Sequence, residues 1–93
     1  ASIFPNNIEV WNSKNICEVA EHPISKQKRI TVTGGVINNS KKIVFLITGI
    51  NKADVLKKII NKEKDYLIYP ASLVNPVYGE LYFYIDKNAA EFL

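Results

Sequence analysis

The stretch "IVFLITGINKADVLKKII", from Ile43 to Ile60, contains the pattern that decides the fold. It begins as a continuous apolar run, breaks at Gly49, and continues with apolar residues at helical spacing. A continuous apolar run that ends at a turn residue is typical of a strand covered on both faces, as in a parallel sheet. The stretch therefore predicts a buried strand over residues 42–49, followed directly by a helix over residues 51–64.

Shorter elements on either side extend this alternation of strands and helices. The pattern predicts further strands over residues 15–21, 29–33 and 81–86, and short helices over residues 36–42 and 87–93. Pro23 and the pair Gly34-Gly35 mark turns between them. Strands interleaved with helices favour an α/β layer architecture with a mostly parallel sheet. We therefore predict a single α/β segment across residues 1–93, without repeats or a dividing linker.

Composition restricts the class of protein. The chain has 93 residues, of which 47% are hydrophobic and 23% are charged, as in a globular domain. No apolar run approaches the roughly 20 residues of a membrane-spanning helix, so we expect no membrane partner. Cys17 is the single cysteine, which excludes an internal disulfide, and the N-terminus lacks the layout of a secretory signal. These features predict a cytoplasmic protein.

The charge balance is mildly basic, and one lysine occupies an unusual position. Twelve Lys and Arg residues against nine Asp and Glu residues give a net charge of +3, which favours anionic partners without selecting among them. Most of the lysine clusters read as solvated faces. Lys52 differs, because it falls in the first turn of the helix predicted over residues 51–64.

A lysine at a helix N-terminus opposes the helix dipole, at a cost of about 0.3–1 kcal/mol. Asn51 is the expected N-cap of this helix, with Asp54 completing an approximate capping box. A bound anion would reverse the cost, because backbone N–H groups and the Lys52 ammonium would then converge on one negative charge. The alternative is a lysine that extends into water without a partner. Charge alone favours the second interpretation, since single lysines near helix starts are common.

Four segments in order carry a resemblance to a known family: "KRITVT", "IVFLITGINKADVL", "PASLVNPVYGELYFYID" and "KNAAEFL". They resemble the C-terminal part of the 6-phosphogluconolactonases, in the superfamily that includes the glucosamine-6-phosphate deaminases/isomerases. After its Thr-Gly strand end, the family has two variable residues and then Lys-Ala, as in Ile50 to Ala53. The resemblance implies that Lys52 binds the sugar phosphate, assisted by backbone N–H groups from Gly49 to Asn51. It also places Arg29 near the active site, with a surface or ion-pair role as the alternative.

The resemblance implies a fold and a reaction as well. The fold would be the C-terminal portion of a mostly parallel, Rossmann-like three-layer domain. The reaction would be hydrolysis of 6-phosphoglucono-1,5-lactone to 6-phosphogluconate in the oxidative pentose phosphate pathway, with a histidine general base and no cofactor.

The first five residues, "ASIFP", resemble the end of the family signature Asp-Gly-His-Thr-Ala-Ser-(Leu/Ile)-Phe-Pro. This implies that the catalytic histidine lies just upstream of Ala1 and that no catalytic residue is in this chain. The chain would then be a fragment that needs the upstream portion of the same protein as its partner.

Two other functions are weighed against the lactonase. The segment "GGVINNSKK" resembles the glycine-containing turn of the deaminases, whereas "PASLVNPVYGELYFYID" follows the lactonases, which we favour. A small basic nucleic-acid-binding module would stack bases on Tyr82, Phe83 and Tyr84. Alternation along a strand divides these rings between two faces, and no typical RNA-binding motif is present, so we expect no nucleic-acid partner.

The remaining reactive side chains form no recognisable site. With one histidine and one cysteine, a zinc site cannot be assembled, and we expect no metal. We expect Cys17 to be a small buried residue and His22 to lie in a surface loop.

Overall fold

The computed structural model describes residues 1–93 and arranges four strands in two separate sheets. Strand β1 (Cys17–Glu21) pairs with β2 (Lys28–Val32) in antiparallel orientation. Strand β3 (Lys42–Ile47) pairs with β4 (Glu80–Ile85) in parallel orientation. The α/β class is therefore confirmed, whereas parallel pairing is confined to β3 and β4.

Three short helices accompany the strands, namely α1 (Ile8–Trp11), α2 (Gly34–Asn38) and α3 (Ala53–Ile60). Single 3-10 turns span Ile50–Lys52, Tyr66–Ile68 and Pro70–Leu73. Ala53 and Leu56 are the buried residues of α3, as expected for one apolar stripe on an amphipathic helix. None of the helices has the length and hydrophobicity needed to cross a membrane.

The connection from β3 to β4 passes through α3 and brings the two strands into register. Lys42 lies opposite Glu80 and Ile47 lies opposite Ile85. Gly79 permits the close approach just before β4, because a Cβ atom at this position would lie 2.8 Å from the carbonyl oxygen of Lys41. A crossover of this length is what a parallel pair requires.

The buried core is thin. Only eight of the 93 residues are buried, and the apolar ones are Val10, Ala20, Ala53, Leu56 and Ala89, with Gly34 also buried. The other two are Thr31 and Thr33, whose hydroxyls are hydrogen-bonded. The Thr33 hydroxyl donates to the carbonyl oxygen of Asn15 at 2.6 Å, and Thr31 Oγ1 accepts from the N–H of Ser2 at 2.8 Å. Most large apolar side chains are left partly or largely exposed.

Several predicted elements differ from the structure. The helix predicted over residues 36–42 begins earlier, because Gly34 and Gly35 form the first turn of α2 and not a tight turn before it. Residues 87–93 form turns and no helix. A segment of seven residues offers few helical hydrogen bonds to offset the cost of nucleation. The predicted coverage of both faces of β3 is also wrong, since its residues alternate between exposed and half-buried.

Candidate functional site

The segment that follows β3 forms a sharp turn at the carboxyl end of the strand. Gly49 has φ 95° and ψ 151°, a conformation that L side chains rarely adopt. The 3-10 turn Ile50–Lys52 follows at once and leads into α3. Ligands bind at the carboxyl ends of strands in open α/β sheets, so this turn lies where a binding site is expected.

Asp86, the residue directly after β4, holds this turn in place. The N–H of Gly49 donates to both carboxylate oxygens of Asp86, at 3.1 Å each. The Asp86 Oδ1 atom also accepts from the N–H of Ala89 at 2.8 Å, and Ala89 is fully buried. Asp86 therefore ties the ends of β3 and β4 together and fixes the orientation of Gly49.

Sequence reasoning missed this role of Asp86. The available signal was an aspartate directly after a predicted strand, a position that favours hydrogen bonds to nearby backbone N–H groups. Its partner Gly49, which follows β3, lies 37 residues away in the chain, so no local pattern could have identified it. This bond also occupies the N–H of Gly49. The N–H groups of Ile50 and Asn51 lie at the start of the 3-10 turn, so no carbonyl oxygen within the turn accepts from them.

Lys52 is exposed and lies at the junction between the 3-10 turn and α3. Its backbone N–H donates to the carbonyl oxygen of Gly49 at 3.2 Å. The only ion pair in the structure joins Lys57 Nζ to Glu63 Oε2 at 3.8 Å, so the Lys52 ammonium has no carboxylate partner. Lys52 also borders a cavity of about 150 Å³ that is otherwise apolar, lined by residues that include Phe45 and Leu56. Lys52 therefore borders an apolar cavity and carries a positive charge without a carboxylate partner.

The capping role predicted for Asn51 is wrong. The N-cap of α3 is Lys52, and no side chain caps the helix. Asn51 lies one residue earlier, inside the 3-10 turn. The 3-10 turn after Gly49 moves the N-cap of the α-helix by one residue, from Asn51 to Lys52. Gly49, Asn51 and Lys52 are nevertheless brought together in one turn.

Arg29 lies apart from this group. It occupies β2, in the other sheet, with an exposed side chain whose Nη2 atom donates to Gln27 Oε1 at 3.4 Å. No hydrogen bond or ion pair connects it to the turn after β3.

Cys17 and His22 have no position in the candidate site. Cys17 is exposed, so the prediction of a buried cysteine is wrong, because the outer side of β1 has no covering layer. His22 is half-buried in the β1–β2 turn, edge-on to Phe4 with 5.1 Å between ring centroids. Its Nδ1 atom accepts hydrogen bonds from the N–H groups of Ile24 and Ser25, at 3.2 and 3.1 Å. Those bonds give His22 a structural role in the turn.

Comparison with known proteins identifies the family to which this chain is similar. Residues 1–83 match the family described as glucosamine-6-phosphate isomerases/6-phosphogluconolactonase. A 6-phosphogluconolactonase from Haemophilus influenzae is 38% identical over 93 residues, covering 100% of this chain and 40% of that protein. The human 6-phosphogluconolactonase is 32% identical and is covered over 36% of its length. The chain thus spans about two fifths of the curated relatives that it matches.

Solved structures agree with the sequence comparison. A crystal structure of devB protein superposes with a TM-score of 0.87 at 33% identity, covering 98% of this chain and 38% of that one. The 6-phosphogluconolactonase of Thermotoga maritima gives a TM-score of 0.71 at 28% identity, over 92% of this chain and 37% of that one. The chain belongs to the glucosamine-6-phosphate isomerase/6-phosphogluconolactonase family.

Proposed function

We propose that this chain is part of an enzyme that hydrolyses 6-phosphoglucono-1,5-lactone, and that Lys52 binds the phosphate of the substrate. The observation that carries the proposal is the turn after β3, where Lys52, whose ammonium has no carboxylate partner, belongs to the same 3-10 turn as the N–H groups of Ile50 and Asn51. Positive charge and free N–H groups at such a turn favour a phosphate. The names of the relatives favour a lactonase over a deaminase.

The roles of the other residues follow from their contacts. Gly49 gives the turn its shape, and Asp86 holds it, while the N–H groups of Ile50 and Asn51 are the ones available to phosphate oxygens. We assign Gly49 a positioning role, since its own N–H already donates to Asp86. Arg29 could contribute only from β2, in the other sheet.

The chemical step needs a general base. The only histidine, His22, lies in the β1–β2 turn and not in the turn after β3. We propose that the base is the histidine of the family signature whose end "ASIFP" resembles, in the upstream portion of the domain. It would take a proton from water while the water oxygen bonds to the lactone carbonyl carbon. The bond from that carbon to the ring oxygen then breaks, and the ring oxygen receives a proton. Phosphate binding by Lys52 would orient the ring for this attack.

The test replaces Lys52 in the complete domain, obtained by fusing this chain to the upstream portion of the Haemophilus influenzae relative. Loss of a hydrogen bond to a charged group costs about 1.5–3 kcal/mol, so Lys52→Ala should lower kcat/KM for the phosphorylated lactone by roughly 10- to 100-fold. Lys64→Ala is the matched control, because Lys64 is an exposed lysine beyond the end of α3. Equal kcat/KM values for the two variants would show that Lys52 does not bind the phosphate.

A further inference from the structure

The turn after β3 carries two opposite charges that do not pair with each other. Lys52 belongs to the turn, and the Asp86 carboxylate is hydrogen-bonded to its first residue, Gly49. The only ion pair in the structure joins Lys57 to Glu63, so neither charge is neutralised by the other. Both side chains are exposed. The turn therefore presents an ammonium and a carboxylate separately to a ligand.

The Asp86 carboxylate keeps an unused acceptor position. A carboxylate can accept about four hydrogen bonds. Its Oδ1 atom accepts from the N–H of Ala89 at 2.8 Å, and both oxygens share the N–H of Gly49 at 3.1 Å. Oδ2 thus has only the shared bond. Because Asp86 is exposed, a hydrogen-bond donor of a ligand can approach this oxygen.

A second acceptor oxygen lies next to the same glycine. A Cβ atom built on Gly49 would be 2.9 Å from Oδ1 of Asn51. Asn51 is exposed, and its side chain caps neither the 3-10 turn nor α3, so its amide oxygen stays available to a ligand. One charged and one neutral acceptor oxygen therefore lie beside the N–H groups of the turn.

We propose that these two oxygens form a subsite for hydroxyl groups of the ligand, and that Asp86 is a specificity-determining residue. The inference rests on the proposed function, because it takes the phosphate to bind at Lys52 and at the N–H groups of Ile50 and Asn51. Hydroxyl groups close to a phosphate ester are the donors that acceptor oxygens require. The subsite therefore selects a phosphate monoester of a polyhydroxylated compound.

The charge of Asp86 also disfavours other phosphates. Its carboxylate holds the N–H directly before those of Ile50 and Asn51, so a phosphate bound there lies within about 10 Å, one Debye length at 0.1 M ionic strength. Lys52 and the N–H groups offset the repulsion of one phosphate. A diphosphate adds negative charge and no hydroxyl donor, so the carboxylate repels it more strongly.

The experiment measures binding by calorimetry to the complete domain obtained by fusion, with glucose 6-phosphate and inorganic pyrophosphate as probes. Asp86→Asn removes the charge and keeps one oxygen for the N–H of Gly49. We expect the preference for glucose 6-phosphate over pyrophosphate, expressed as the ratio of the two Kd values, to fall at least about fivefold. Partial loss of folded protein leaves this ratio unchanged, because both probes are measured on the same sample.

Asp65→Asn is the matched control. It removes the same charge from an exposed aspartate beyond the end of α3. Asp65 has φ 63° and ψ 18°, a left-handed conformation that asparagine also adopts. The ratio of Kd values should stay within about twofold of that of the unsubstituted domain, since a single exposed charge away from the site contributes little.

Lys52→Ala separates this inference from the proposed function. A fall in the ratio confined to Asp86→Asn supports the subsite. An unchanged ratio in Asp86→Asn, or an equal fall in Asp65→Asn, would overturn the subsite alone, provided that Lys52→Ala weakens the binding of both probes. If Lys52→Ala left both affinities unchanged, the phosphate site would be refuted, and the subsite with it.

Discussion

Substitution of Gly34 tests the packing between α1 and α2. Gly34 is buried, and a Cβ atom built on it would lie 2.7 Å from Trp11 Nε1 and closer still to two carbons of the indole ring. Distances below 3.0 Å essentially never occur for real Cβ atoms. Gly34→Ala therefore forces either the ring of Trp11 or the start of α2 to move.

The size of the effect follows from two opposing contributions. Overpacking of a well-packed site costs about 1–3 kcal/mol. Replacing glycine by alanine in a helix gains about 0.5–1 kcal/mol. We expect a net loss of roughly 0.5–2 kcal/mol in the free energy of unfolding of Gly34→Ala. Gly35→Ala supplies the control, since no atom lies within 4 Å of the added Cβ and the backbone is helical. It should stabilise the chain by about 0.4–1 kcal/mol.

Urea denaturation followed by far-UV circular dichroism measures both variants, and the fluorescence of Trp11 reports on the ring directly. For a domain of this size, 1 kcal/mol corresponds to a shift in Tm of about 4–8 °C. We expect the two variants to move in opposite directions, with a changed emission spectrum only for Gly34→Ala. If both substitutions raised the stability, the contact between Gly34 and Trp11 would not exist in solution.

Three further predictions concern other parts of the chain. Gly79→Ala should destabilise the β3–β4 pair by more than about 1 kcal/mol, because its Cβ would meet backbone oxygens that cannot rotate away. Amide exchange in β4 should then accelerate, and unchanged exchange would contradict this prediction. Asp86→Ala should lower the free energy of unfolding measured by urea denaturation by about 1–2 kcal/mol, since it removes the acceptor for the N–H of Gly49. Asp86→Asn keeps one oxygen acceptor and should lower it by less. Equal losses in the two variants would exclude a role for the acceptor. The hydroxyl of Ser13 and, secondarily, the amide of Asn15 lower the pKa of Glu18 below its ordinary value of 4.5. A carboxylate with a lowered pKa in the folded state stabilises the fold above its unfolded pKa, and this contribution is lost as the pH falls through the folded value. Between pH 6 and pH 3 the native chain should therefore lose more stability than Glu18→Gln, and parallel curves would refute the reasoning.

Local chemistry determined much of the fold. β-branched residues and a continuous apolar run marked β2 and β3, and the helical spacing of Val55, Leu56 and Ile59 marked α3. Gly49 marked the turn between β3 and α3 because only glycine readily adopts its conformation. The signals for these elements lie within short stretches of the chain, so the sequence alone predicted them.

The candidate site was only partly predictable. The turn from Gly49 to Lys52 was located from the strand end and the misplaced charge, and its phosphate role remains a prediction. Asn51 was assigned to the wrong helical position because a 3-10 turn and an α-helical turn begin with the same residues. The hydrogen bonds from the N–H of Gly49 to Asp86 were missed because they depend on the parallel pairing of β3 with β4, which joins segments about 37 residues apart.

The sequence by itself thus determined the four strands and α3, the turn after β3 and the place of the unusual lysine, whereas it placed the short helices α1 and α2 wrongly or not at all. Only the tertiary structure decided which strands pair, which glycine contacts Trp11, and which face of the β3–β4 sheet is covered. The physical reason is that every residue from Ile43 to Ile47 is apolar. Such a run carries no alternation from which a covered face could be distinguished from a bare one. That distinction depends on which elements pack against the sheet.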